Sequence, residues 1–436
     1  CVVDEPMRRL LIPLFLALTL PSLAFAQPLP IDQTCAEVTG CFPGDDPGFP
    51  VTITQPGEYV LASDLFNDVS AGWTIDALTN AVEIDMAGHF IDGYTPLDVA
   101  NGVRGGAVTL RNGSFHGVGF VADGAVLVED VVASTWYAGI SSPNDTVFRR
   151  VRLMGSNDYV LVQCDHCDLQ DVTIVSDPAV VVSATSASLE RVSISANTRM
   201  TVSGAATILD STIGGFQIGH DSVIRNTDVR CNHSASSYAT ARDRLEVTGS
   251  TVAESSPGRC TLYAGTDAHL QGNHFQEIDT GARAFLDDNV LDFTDSDRFA
   301  VVGPDSIVKF NALSVSATHA RYRLGFDAGD GSEVRNNTID GVSDGIICGE
   351  DCIVTGNTIT NYTGTAISLG LTSVFCKNTI DGSGVAGIVG GIACDAAGVP
   401  SQTPGGLLTL ALGLMLTAVV LGGHRIQLTR SADGQA

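Results

Sequence analysis

"EVRNNTIDGVSDGIICGEDCIVTGNTITNYTGTAISLGLTSVFCKNTIDG", from Glu333 to Gly382, says one thing three times. Each phrase places an apolar residue (Val334, Val354, Phe375) three positions before an Asn (Asn337, Asn357, Asn378), and a Thr-Ile pair follows. A repeat this short cannot enclose a core of its own, so each copy must bury its apolar side against the next.

Extending the alignment in both directions gives the same slot at His89, Gly113, Val131, Val151, Val172, Val192, Ser211, Thr227, Ser250, Asn273, Asn289 and Asn311. The spacing is about twenty-one residues over about fifteen copies, with apolar residues flanking the slot. Leucine-rich repeats need a fixed Leu spacing that is missing here, and propeller blades need about twice the length. Three short strands per copy fit the period and predict an all-β parallel β-helix, a stack of rungs whose inward Val, Ile, Leu and Phe form one continuous core. Asn273, Asn289, Asn311, Asn337, Asn357 and Asn378 read as a structural ladder: an inward amide at a bend donates to and accepts from the equivalent groups one rung away. Where the slot holds Val, Ser or Thr, stacking must rely on apolar packing and hydroxyls.

The composition agrees with an exported surface. Across 436 residues the formal net charge is −26, and the only lysines are Lys309 and Lys377. That argues against a nucleic-acid partner, because phosphate binding needs clustered cations. No dense carboxylate loop of the EF-hand kind is present, and no metal site is assigned. Residues 1–26 divide into a short upstream stretch and "MRRLLIPLFLALTLPSLAFA" from Met7, which has the basic head, apolar run and A-x-A end of a secretory signal peptide. Residues 27–52 are expected to cap the open end of a β-helix spanning 53–398. Residues 399–436 contain an apolar stretch from Leu407 to Gly423, followed by His424, Arg425 and Arg430, which suits a membrane helix with a cytoplasmic flank.

Setting Cys1 aside, the cysteines fall into neighbouring pairs: Cys35 with Cys41, Cys164 with Cys167, Cys231 with Cys260, Cys348 with Cys352, and Cys376 with Cys394. This is one of many connectivities, and it is the one a rung-by-rung fold brings within reach. The "CDHC" run at Cys164 to Cys167 also admits a metal or redox reading, but a second half-site at zinc spacing is missing, which favours a disulfide.

From Ile53 to Cys394 the chain resembles the right-handed parallel β-helix proteins of the pectin-lyase-like superfamily. The opening "ITQPGEYVLASDL" and "AVEIDMAGHFIDG" carry that resemblance, and parallel crossovers are themselves right-handed. The C-terminal layout is similar to the PEP-CTERM and IPTL-CTERM sorting tails of Gram-negative bacteria, although Val399-Pro400 is followed by Ser-Gln instead of a standard signature. That likeness implies surface attachment, with processing by a sorting protease.

The superfamily hosts lyases, hydrolases, epimerases and adhesins, so the fold does not fix the chemistry. In its enzymes, substrate lies along the outer face of the first strand of each rung. Strand alternation turns Leu161, Val181, Gln217, Tyr263, Val301, Asp327, Ile347 and Ser368 outward there, a mostly apolar or neutral set. A uronate lyase needs a Ca²⁺ site of several carboxylates and a basic residue, and a hydrolase needs paired carboxylates. The polygalacturonase resemblance fails: Asn226-Thr227-Asp228 and Asp287-Asp288 lie far more than one rung apart. His220, Asp221 and Asp228, with Arg225, form the best acid/base candidates, against the plainer reading of solvated ion pairs. Trp136, Tyr137 and Tyr263 are candidates for stacking on sugar rings.

The expectation is thus an exported, monomeric β-helix that binds extracellular polysaccharide or serves a structural role. The alternative is a polysaccharide lyase or glycoside hydrolase. No cofactor is expected beyond Ca²⁺ in the lyase reading. An autotransporter passenger is disfavoured, because the C-terminus lacks alternating barrel strands.

Overall fold

A computed structural model describes residues 27–394, apart from the short segments 69–71, 94–99, 136–138, 156–158, 177–178, 196–197, 232–238, 255–259, 294–299 and 316–323. The segments read above as a signal peptide and a sorting tail therefore lie outside the described residues. Among the described residues no helix is long and apolar enough to cross a membrane.

The fold is the expected parallel β-solenoid, and its pairings resolve into three ladders. The first sheet runs from Val51–Ile53 to Ala386–Val389. The second runs from Leu29–Ile31 to Ile392–Ala393, and the third from Leu65–Phe66 to Thr379–Asp381. Every pairing is between a strand and its counterpart one rung away, so backbone N–H and C=O groups are satisfied along the stack. The segment expected as a cap thus also contributes a strand, Leu29–Ile31, to the end of the second sheet.

Inside, columns of equivalent residues interlock by size. In the first sheet, Phe216 stacks on Ala239, and Ala300 lies between Ile278 and Phe326. Phe216 and Phe326 are almost completely buried, so a small neighbour makes room for each ring.

The repeat slot marks the corner between the second and third sheets. The residue before it has positive φ at every copy, from Gly88 (86°) through Asn112, Asp130, Asp171, Asp210, Asn226, Gly249, Gly272, Asp288 and Asn336 to Gly356 (68°). Gly, Asn and Asp enter this left-handed region most readily. Arg150, Arg191, Phe310 and Lys377 occupy it as well, at 51–55°. This turn reverses the facing of the chain, so the slot residue points inward.

Asn273, Asn289, Asn311, Asn337 and Asn357 are at most 2 % exposed and form the ladder the repeat predicts. The Asn289 amide nitrogen donates to Asn311 Oδ1 at 2.9 Å, Asn311 to Asn337 at 3.0 Å, and Asn337 to Asn357 at 2.9 Å. The backbone N–H of each donates to the same oxygen. Asn357 continues the ladder to Asn378. Hydroxyls extend it toward the N-terminus, with the N–H of Val192 donating to Ser211 Oγ and that of Thr227 to Ser250 Oγ.

The corner between the first and second sheets has a smaller serine series that the repeat reading overlooks. Ser222, Ser306, Ser332 and Ser373 are buried and accept the N–H groups of Ala206, Ala284, Ser306 and Cys352, respectively. All five adjacent cysteine pairs form disulfides, with Cα–Cα separations of 4.7, 5.6, 5.5, 6.3 and 5.3 Å in chain order.

Candidate functional site

The outer face of the first sheet carries a long column of equivalent side chains, one from each rung. Its register places Ser141, Gln163, Ser183, Thr201, Gln217, Thr240 and Tyr263 in one column. The column continues through Asp279, Val301, Asp327, Ile347 and Ser368 to Val389. Leu161 and Val181, expected in this series, stand two residues earlier, in a second outward column beside Gln163 and Ser183. The surface is therefore less apolar than strand alternation alone suggested. Asp76, Arg104 and Asp123 precede Ser141 in the same register. From Ser141 to Thr240 the column is a row of hydroxyls and amides, one per rung at about 4.8 Å, and beyond Tyr263 it sets Asp279 and Asp327 among Val301, Ile347 and Ser368.

Tyr263 stands at the junction and is 39 % exposed. Asp279 was not anticipated from the sequence. It is two rungs from Asp327 in the same column, with Val301 between them. The adjacent column adds Glu277, which accepts the Thr261 hydroxyl at 2.8 Å.

The candidates His220, Asp221, Asp228 and Arg225 are distributed around one rung. His220 and Asp221 follow the first-sheet strand Gly215–Ile218 at a corner, Arg225 ends the second-sheet strand Val223–Arg225, and Asp228 opens the third-sheet strand Asp228–Cys231. Each takes a different partner. His220 Nδ1 is 3.3 Å from Asp243 Oδ2, and Arg244 Nη2 donates to Asp221 Oδ2 at 2.7 Å. Arg225 donates to Glu246 at 2.7 Å, and Arg230 to Asp228 at 2.6 Å. The structure thus brings His220 and Asp221 to one corner and leaves Asp228 and Arg225 on other faces. Trp136 and Tyr137 lie outside the described residues.

The corner pairs belong to ladders of alternating charge. Asp221, Arg244, Asp267 and Arg283 follow one another along the first corner, and Asp130, Arg150, Asp171 and Arg191 along the second. Bidentate guanidinium contacts hold the carboxyls of Asp130, Asp171, Asp221 and Asp267 below the usual carboxylate range. Hydrogen bonds from the Thr266 backbone and hydroxyl do the same for Asp243, and the Thr372 hydroxyl and N–H do so for Glu350. A general acid needs the opposite shift. These corner carboxylates accept ion pairs or hydrogen bonds that favour the charged form.

The geometry defines a parallel β-solenoid protein. Comparison with protein-family models, curated proteins and solved structures finds no match.

Proposed function

We propose that this chain is an exported, surface-associated β-helix of the pectin-lyase-like kind that binds a neutral extracellular polysaccharide along the outer face of its first sheet, without cleaving it. One observation carries this reading: the in-register column of hydroxyls and amides from Ser141 to Thr240, ending at the exposed ring of Tyr263. An extended glycan presents hydroxyls at regular intervals, which uncharged donors and acceptors can meet at low desolvation cost, and an aromatic ring can stack on a sugar face. The net charge of −26 disfavours polyanionic polymers such as uronates. In this reading the N-terminal leader directs export, and the C-terminal segment holds the protein at the membrane until a sorting protease acts. The protein works as a monomer.

A second reading, glycoside hydrolysis, draws on Asp279 and Asp327. Two rungs separate their Cα atoms by about 10 Å, near the upper end of the carboxyl spacing that inverting hydrolases use.

Affinity electrophoresis against neutral and uronic-acid polysaccharides, run alongside assays for reducing ends and unsaturated products with and without Ca²⁺, separates the readings. Retardation by a neutral polymer that is lost in Gln217→Ala/Tyr263→Ala, with no products, is the expected result. Turnover abolished by Asp279→Asn or Asp327→Asn would replace binding with hydrolysis. No retardation by any polymer would refute the binding role.

A further inference from the structure

A second group of polar side chains lies at the first corner, several rungs before His220, and belongs to no ion ladder. In the strand Tyr159–Gln170, Cys164 and Cys167 turn inward, are at most 5 % exposed, and are joined as a disulfide. Simple alternation would send the two residues between them to opposite faces. The bend at the corner instead exposes both Asp165 and His166.

The preceding rung brings Asp145 beneath them, because Thr146 is in register with Cys167 and the Asp165 N–H donates to Asn144 O at 3.3 Å. That lower corner is itself fixed. The Asn144 N–H donates to Ser142 Oγ at 3.2 Å, its amide nitrogen donates to Gly106 O at 3.0 Å, and the Thr146 hydroxyl donates to Ala125 O at 2.9 Å. A disulfide above and a hydrogen-bonded turn below thus fix the backbone from which the three side chains project.

His166 Nδ1 is 2.7 Å from Asp145 Oδ1 and 3.5 Å from Asp165 Oδ2, and one donor atom from each of the three lies within 4.8 Å of the others. Donors sharing a tetrahedral ion at roughly 2.0–2.2 Å stand roughly 3.4 Å apart. An ion there would replace the His166–Asp145 hydrogen bond with ligation from both groups, and the exposure of all three residues leaves the solvent side open for water.

We propose that Asp145, Asp165 and His166 form a binding site for a divalent transition-metal ion, with Zn²⁺ as the representative probe, that cross-links two adjacent rungs. The donor set decides the class of ion. Ca²⁺ and Mg²⁺ favour oxygen-only shells, whereas an imidazole nitrogen with two carboxylates suits the borderline divalent metals. The buried cystine takes no part in ligation and acts by positioning the corner.

Isothermal titration of the full chain with Zn²⁺, in buffer containing excess Ca²⁺ to occupy diffuse acidic sites, tests this. A single saturable event is expected, weakened at least about tenfold in His166→Gln and in Asp145→Asn. Asp243→Asn, which alters the other His–Asp corner, should leave it unchanged. Circular dichroism checks that these exposed substitutions preserve the fold. Zn²⁺ binding that is absent, displaced by Ca²⁺, or the same in both variants as in the parent would overturn the proposal.

Discussion

Replacing Asn337 with Ala removes a ladder member that is 1 % exposed and has neighbours on both sides. Its Oδ1 accepts the Asn311 N–H at 2.9 Å and the Asn311 side-chain amide at 3.0 Å, and its Nδ2 donates to Val308 O at 3.0 Å and Asn357 Oδ1 at 2.9 Å. Asn357 Oδ1 keeps the Asn337 backbone N–H, so it remains partly satisfied. The Asn311 backbone N–H loses its partner inside the core and Val308 O loses a donor, whereas the Asn311 side-chain amide keeps Leu286 O and Lys309 O. At roughly 1–3 kcal/mol for each of these two groups, the expected loss is about 2–6 kcal/mol. Asn337→Val should recover little of it, because it fills the space and leaves the same groups unpaired. Urea denaturation followed by circular dichroism measures the loss, and hydrogen exchange in the strands Ala312–Val315 and Thr338–Asp340 shows whether it is local or propagates through the stack. A loss below about 1 kcal/mol in Asn337→Ala would refute the idea that the amides carry the corner, and so would full recovery in Asn337→Val.

Phe310 is 53 % exposed and sits at φ 55°, a conformation that suits Asn far better than an aromatic residue. The Lys309 ammonium, 5.6 Å from the ring, offsets part of that strain. Phe310→Asn should therefore raise stability by roughly 0.5–1 kcal/mol, read as a higher urea midpoint. The guanidinium ladders predict a pH dependence. The Asp221 carboxyl is held below its unfolded value by Arg244, so its contribution is fully present above the unfolded pKa and disappears as pH falls through the folded one. The urea midpoints of the parent and Arg244→Gln should differ near neutrality, converge below about pH 4, and differ less at high salt.

The parts of this structure that repeat in the sequence are the parts the sequence reveals. Asn at a fixed slot and apolar residues around it recur at the rung period, and each has one physical solution in a stacked fold. The cysteines do not keep that period but pair with their nearest neighbours in the chain. The turn residue before the slot is just as regular. Its Gly, Asn or Asp at most copies was a legible signal of left-handed backbone that the search for apolar periodicity passed over. Asp279 escaped for a different reason. The rung from Asn273 to Asn289 advances only 16 residues, so Glu277–Thr280 follows the third-sheet strand His274–Phe275 almost at once. No connecting loop announces that a first-sheet strand has begun.

The acid/base candidates show why sequence proximity misleads in a solenoid. Asp221 and Asp228 are separated by little chain, but that chain carries them from the first corner, across the second sheet, to the third. True neighbours are one period away. Arg244 reaches Asp221 across 23 residues, and Asp145 reaches His166 across 21. Side chains that act together in this fold therefore form columns along the axis, and a column can be built only from strands whose register is known. Single residues near one another in the chain mostly decorate different faces. The same geometry favours ligands that are long and repetitive over small ones, because a column offers the same side-chain position again and again at the rung spacing. The row from Ser141 to Tyr263 is such a column, and the proposed binding of an extended polymer rests on that match of repeats.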